Sequence, residues 1–152
     1  IISYNYGSKN VDRVRATYKL LLKVSLAYSA LLWLLIMLFP QAFAAMFTTD
    51  PELMEFTKTA LRIYMAATVI FGIQIACQMT FNALGNAVES IVVAVVRKFI
   101  LLIPLIYLMP MILTSDPVKA VYMAEPIADI IAVTFTAILF YFRFKKTLAK
   151  LQ

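Results

Sequence analysis

In a chain of 152 residues, 63% hydrophobic and 14% charged, the apolar excess is too large for one small globular core to absorb. Soluble domains run to about 45–50% apolar and about 25% charged residues, so the chain reads as an all-α, polytopic membrane protein. A net charge of +6 invites a nucleic-acid reading, but the basic residues sit beside apolar segments and follow a membrane rule, which sets that partner aside.

The chain opens with a polar, basic lead, Ile1-Ile2-Ser3-Tyr4-Asn5-Tyr6-Gly7-Ser8-Lys9-Asn10, with Arg13 and Arg15 after it. Gly7 marks a turn. Asn10 is suited to cap a helix that carries Asp12 in its first turn. The first span is expected over residues 20–39, ended by Pro40, with residues 41–47 as a short interfacial shelf. In Thr49-Asp50-Pro51-Glu52, Asp50 or Thr49 is the N-cap, Pro51 takes the first helical position, and Glu52 and Glu55 complement the helix dipole. The second span is expected over residues 59–84. Counted from Glu52 it would be one helix of roughly 33 residues and about 50 Å. That exceeds a bilayer core of about 30 Å, so the helix should tilt or protrude.

Gly85 is the stop signal for this helix, and Gly85-Asn86-Ala87 leads into the next. The third span is expected over residues 91–113, with Arg97 and Lys98 in its first turns and Pro104 and Pro110 beyond. Ser115-Asp116-Pro117 repeats the cap-then-proline chemistry of Thr49-Asp50-Pro51. The last span is expected over residues 118–142, followed by a basic tail over residues 143–152. Of the 14 Lys and Arg, all but Lys58, Arg62 and Lys119 fall at the two chain ends or around the loop at Gly85. Lys and Arg favour the cytoplasm, so both ends are expected inside, with four spans between them.

Several chemistries have no residues here. The chain has no histidine, which removes a His proton relay, a His-liganded metal site and a Ser-His-Asp triad from this segment. Cys77 is the single cysteine, so no disulfide closes within the chain. No phosphate loop or GxGxxG is present. No enzyme activity, catalytic residue, metal site or cofactor is expected.

Two constellations remain. Gln74, Gln78 and Asn82 recur every fourth residue and share one helix face. They serve either as polar glue between helices or as the lining of a wet pocket. Glu125-Pro126-Ile127-Ala128-Asp129 places two carboxylates one turn apart on one face. Pro126 cannot donate to the Tyr122 carbonyl, so that acceptor is freed and a kink is expected. An acidic pair beside a freed carbonyl suits a proton or a cationic ligand. Its bland alternatives are wetting at the interface or pairing with Arg62 or Lys119. Arg97 and Lys98 either snorkel to the surface or neutralise an acid on a neighbouring helix, with Arg97 the expected charge partner. Pro104 and Pro126 are hinge candidates. The methionines and aromatics read mainly as packing.

Three stretches together resemble the MATE (multidrug and toxic compound extrusion) family, nearest its MepA-like bacterial branch. The lead over residues 1–10, with Arg13 and Arg15, is similar to the family's cytoplasmic loop after the eighth of twelve helices. Phe71-Gly72-Ile73-Gln74 with Phe81-Asn82-Ala83-Leu84-Gly85 resembles the tenth helix, and Pro126-Ile127-Ala128-Asp129 resembles the start of the twelfth. The resemblance implies helices nine to twelve of a two-lobe secondary transporter in a bacterial inner membrane. Such exporters move cationic lipophilic compounds against H⁺ or Na⁺ by alternating access. Some members carry a cation-binding acid in the tenth helix; this chain has Gln74, Gln78 and Asn82 there, which puts a sodium site in this segment in doubt and moves the main coupling carboxylate to helices outside it.

The expected partners are therefore membrane lipid, cationic drugs and the N-terminal helices of the same transporter. The first residue, Ile1, fits a segment of a longer chain. The rival readings are a stand-alone four-span protein exporting as a dimer, and a structural subunit of a membrane complex.

Overall fold

The computed structural model describes residues 1–151, and these fold into helices joined by short turns, with no strand among them. A short helix, α1 (Ile2–Gly7), turns at Ser8 and Lys9 into α2 (Val11–Leu38). Lys9 takes the left-handed backbone conformation at φ 57°. Asn10 caps α2 as expected, its side chain accepting from the Arg13 N–H at 3.1 Å. Pro40 opens the shelf helix α3 (Pro40–Ala44).

Asp50 caps α4 (Pro51–Tyr64) by accepting from the N–H groups of Glu52 and Leu53. The expected single long helix is not formed. It breaks at residues 65–67 and resumes as α5 (Thr68–Ala83), bent by 50°. No proline or glycine lies at the break. The backbone crosses it on tighter three-residue bonds, Ala66 N–H to the Ile63 carbonyl and Thr68 N–H to the Met65 carbonyl. Both pieces pack on the last helix, but α4 also rests on α3 while α5 rests along α2. Gly72 allows that second contact, since a Cβ there would stand 2.5 Å from the Ser25 carbonyl oxygen. Close approach over small residues is how helices associate in lipid, where burial of apolar surface supplies little drive.

Gly85 ends α5 with φ 76°. The Asn86 N–H reaches back to the Phe81 carbonyl and the Gly85 N–H to the Asn82 carbonyl, the paired bonds of a Schellman cap. The third span starts as α6 (Ala87–Val95), widens into a π-helical segment over Val96–Leu102, and continues as α7 (Ile103–Ile112). Pro104 follows that segment at once. In a regular α-helix its ring would collide with the Ile100 carbonyl, and the widened turns relieve the collision. Asp116 then caps α8 (Pro117–Ala149), accepting from the Lys119 N–H at 3.0 Å. At 33 residues α8 runs unbroken through Pro126 and on into the basic tail, well past the expected end at residue 142.

Helix α8 is the spine. Ala120, Ala124, Ala128, Ala132, Thr136 and Phe140 form a buried line at four-residue spacing, with α7, the π segment, α4 and α5 packed about it. Ile2, Val14, Leu84 and Leu148 share one core cluster, so α1, the α5–α6 turn and the end of α8 lie together at one end of the bundle. The outside is apolar: Leu20, Val24, Leu31, Ile91, Phe99, Ile103 and Ile138 are all more than 40% exposed. Such a surface suits lipid, not water. Among the described residues, three helices are long and apolar enough to span a membrane, or four if α4 and α5 together count as one span.

Candidate functional site

The buried stripe of α8 carries two acids among its alanines. Glu125 and Asp129 are 6% and 7% exposed, so the wetted, interfacial alternative does not hold. Neither Arg62 nor Lys119 pairs with them. Arg62 instead donates to the Met37 carbonyl at 3.1 Å. Their partner is Arg97, the second residue of the π segment. Its Nε donates to Asp129 Oδ1 at 2.6 Å and its Nη2 to Glu125 Oε1 at 2.9 Å. One guanidinium thus bridges both carboxylates, which its planar fork suits and a lysine could not copy. Lys98 stands further out, its Nζ 3.7 Å from Glu125 Oε1 and its side chain half exposed.

One residue that the sequence reading did not single out completes the cluster. The Phe71 ring lies 4.6 Å from the guanidinium carbon of Arg97, a cation–π contact from α5. Tyr64, the last residue of α4, precedes Phe71 across the α4–α5 break. Arg97 thus reaches the acids from the π segment, and Pro126 lies between them in the unbroken α8. The cluster balances two positive with two negative side chains. Removing Arg97 leaves the two buried acids without their close partner, at a cost of about 3–5 kcal/mol.

The three amides of the stripe sit in different surroundings. Gln74 is buried, three residues along α5 from Phe71, and its Oε1 has no hydrogen-bond partner. Gln78 is half-buried and its Nε2 donates to the Ser90 carbonyl on α6 at 3.5 Å, a long bond between neighbouring helices. Asn82 is exposed. The structure thus brings together Glu125, Asp129 and Arg97, with Pro126 among them and Pro104 just beyond the π segment. It leaves Gln78 and Asn82 elsewhere. Among the described residues, no group of three or more Cys, Asp or Glu side chains is placed to hold a metal ion.

A family model for MatE matches residues 1–108. The chain belongs to the MatE family. The FAD transporter of Shewanella oneidensis (strain MR-1) is 29% identical over 130 residues, which cover 86% of this chain and 28% of the relative. The solved MATE multidrug transporter DinF-BH superposes with a TM-score of 0.84 at 33% identity, covering 95% of this chain and 32% of its own. An inward-facing multidrug resistance MATE transporter superposes at 0.87 with 18% identity, over 97% of this chain and 34% of its own, a likeness of fold alone. The chain thus spans about a third of the length of the MATE proteins it matches. Its helices are those of an integral membrane transporter family, whose members are transporters and not enzymes.

Proposed function

We propose that this segment forms helices nine to twelve of a twelve-helix MATE exporter of the MepA-like branch, in a bacterial inner membrane with both chain ends in the cytoplasm. The exporter exchanges cationic lipophilic compounds against H⁺ or Na⁺ by alternating access, and needs no cofactor. The observation that carries this reading is the Arg97 bridge to Glu125 and Asp129. Buried ionisable groups inside a membrane bundle are expensive and mark ion or substrate paths. Here the acids already hold a tethered cation. A proton or a cationic compound that reaches them must compete with Arg97. Its arrival weakens the grip of the third span on α8, at the point where the third span widens into its π segment. Broken helices around a midplane site are the usual hinge material of secondary transporters. Pro104 and Pro126 are positioned to serve it, and Gln74, with its unpartnered carbonyl one turn from Phe71, is the amide best placed to meet a ligand.

The FAD-transporting relative supports a second reading, in which the substrate is an anionic dinucleotide and Arg97 and Lys98 are its attraction. The test is transport by the full protein in proteoliposomes. Uptake of a cationic dye that depends on an imposed proton or sodium gradient supports the first reading. Uptake of FAD with none of the dye supports the second.

A further inference from the structure

At the end of the bundle that holds both chain termini, a cavity of about 380 Å³ opens between α2, α5 and the last turns of α8. That lies within the range of small-ligand sites, about 300–1,000 Å³. The cavity shares no residue with the Arg97 cluster. Its wall is a preformed aromatic stack. Tyr18 lies on Phe140 with ring centroids 4.6 Å apart, and Phe140 lies on Phe144 at 4.8 Å. Cys77 closes the bottom, its sulfur 3.6 Å from the Tyr18 hydroxyl.

Two cations, Arg15 and Lys145, line the same cavity. Both are exposed. Neither makes an ion pair with any described residue, whereas nearby Arg143 is engaged with Glu89 at 3.4 Å. Asp12, one turn from Arg15 on α2, makes no ion pair with it either. An apolar, aromatic cavity with two uncommitted cations at its edge matches a ligand that has an anionic head and an apolar body.

The approach to the cavity says which source supplies it. Ile138, Tyr141, Phe142 and Lys145 share one face of α8 by their three- and four-residue spacing. Ile138, Tyr141 and Phe142 are each more than half exposed. This face runs from exposed apolar residues up to Lys145, a path that suits a ligand arriving from the bilayer. Basic pockets between helices at the cytoplasmic surface are suited to anionic headgroups. We propose that this cavity binds an anionic phospholipid of the inner leaflet, with its phosphate between Arg15 and Lys145 and the start of an acyl chain against Tyr18, Phe140 and Phe144. The proposal rests on the cytoplasmic placement of the chain ends but not on the transported substrate, since it concerns different residues.

The test is native mass spectrometry of the full transporter with equal amounts of phosphatidylglycerol and phosphatidylethanolamine. Wild-type protein is expected to retain phosphatidylglycerol at least fivefold over phosphatidylethanolamine. Arg15→Gln/Lys145→Gln is expected to lose that preference, with unchanged thermal unfolding in lipid-free detergent because both residues are exposed. Arg13→Gln/Lys146→Gln, which removes two charges at the same end outside the cavity, is expected to keep it. Equal retention of the two lipids by wild type, or an intact preference in the Arg15/Lys145 variant, overturns the proposal. So does retention of riboflavin phosphate at the cavity, lost with Arg15 and Lys145, in place of the lipid; that assigns the cavity to a soluble anion.

Discussion

Arg97 and Asp129 are joined by a 2.6 Å hydrogen-bonded ion pair across the contact between the third span and α8. They are 32 residues apart in the chain, and both sit where apolar side chains would cost nothing to bury. The second arm to Glu125 and the Phe71 ring beneath the guanidinium make the arginine the shared partner of groups from two helices.

Removing that partner should be costlier than removing all the charges together. Arg97→Gln leaves two buried carboxylates facing each other and is expected to destabilise the transporter by about 3–5 kcal/mol. The triple change Arg97→Gln/Glu125→Gln/Asp129→Asn is expected to recover much of that loss. Thermal unfolding of the purified full-length protein measures both. Equal stability of wild type and Arg97→Gln would mean that the bridge contributes nothing to the fold.

Gly72 sets the distance between α2 and α5. A methyl group there meets the Ser25 backbone at 2.5 Å, and backbone cannot step aside as a flexible side chain can. Gly72→Ala is expected to cost about 1–3 kcal/mol by overpacking, and Gly72→Val more. A lowered unfolding temperature that grows from Ala to Val is the expected readout. An unchanged midpoint for Ala would show that the helices separate freely.

For the amides the structure separates two roles. Gln78→Ala removes one interhelical hydrogen bond to Ser90 and is expected to lower stability by about 0.6 kcal/mol while leaving dye export in place. Gln74→Leu relieves an unpartnered buried oxygen and is expected to keep or raise stability while weakening export. Export lost in Gln78→Ala at full stability, with Gln74→Leu neutral, would reverse the assignment.

Local chemistry was the legible part of this chain. The caps at Asn10, Asp50 and Asp116 and the stop at Gly85 each depend on a few adjacent residues, and each appears where its residue type places it. Arg97 was among the expected charge partners because an arginine inside an apolar run needs an acid. Its choice of Glu125 and Asp129 over a route to the surface is a matter of which helices pack together, and no short window of sequence records that. The break at residues 65–67 was hidden for the same reason: Met, Ala and Ala are ordinary helix formers, and only the packing shows that, beyond the α8 contact they share, α4 rests on α3 and α5 on α2. The π segment had a faint signal in Pro104, whose steric demand falls one turn earlier, on residues that look regular. The Gln74/Gln78/Asn82 face was correctly spaced, yet it runs from the core at Gln74 to the exposed end of α5 at Asn82.

Orientation follows from the basic bias, and the fold narrows the test. Because α1, the α5–α6 turn and the end of α8 lie at one end, Lys9 and Lys146 should share a side, with Asp50 and Asp116 opposite. Single cysteines at these positions, in a protein whose Cys77 is replaced by Ser, are to be labelled in intact cells with an impermeant thiol reagent. Labelling at 50 and 116 alone is expected. Labelling at 9 or 146 places the termini outside.

The central claim is that the Arg97-bridged acids couple transport to a cation, and Asp129→Asn tests it most directly. The change keeps shape and one hydrogen-bond acceptor for Arg97 while removing the charge. Cationic-dye efflux by the full transporter is to be measured across pH 6–8 (a range of about two units around neutrality). The account predicts that Asp129→Asn reduces efflux about tenfold or more and flattens its pH dependence, with Glu125→Gln milder. Wild-type efflux with an unchanged pH profile in Asp129→Asn would contradict it, leaving the bridge as a structural clamp and the coupling to helices outside this segment.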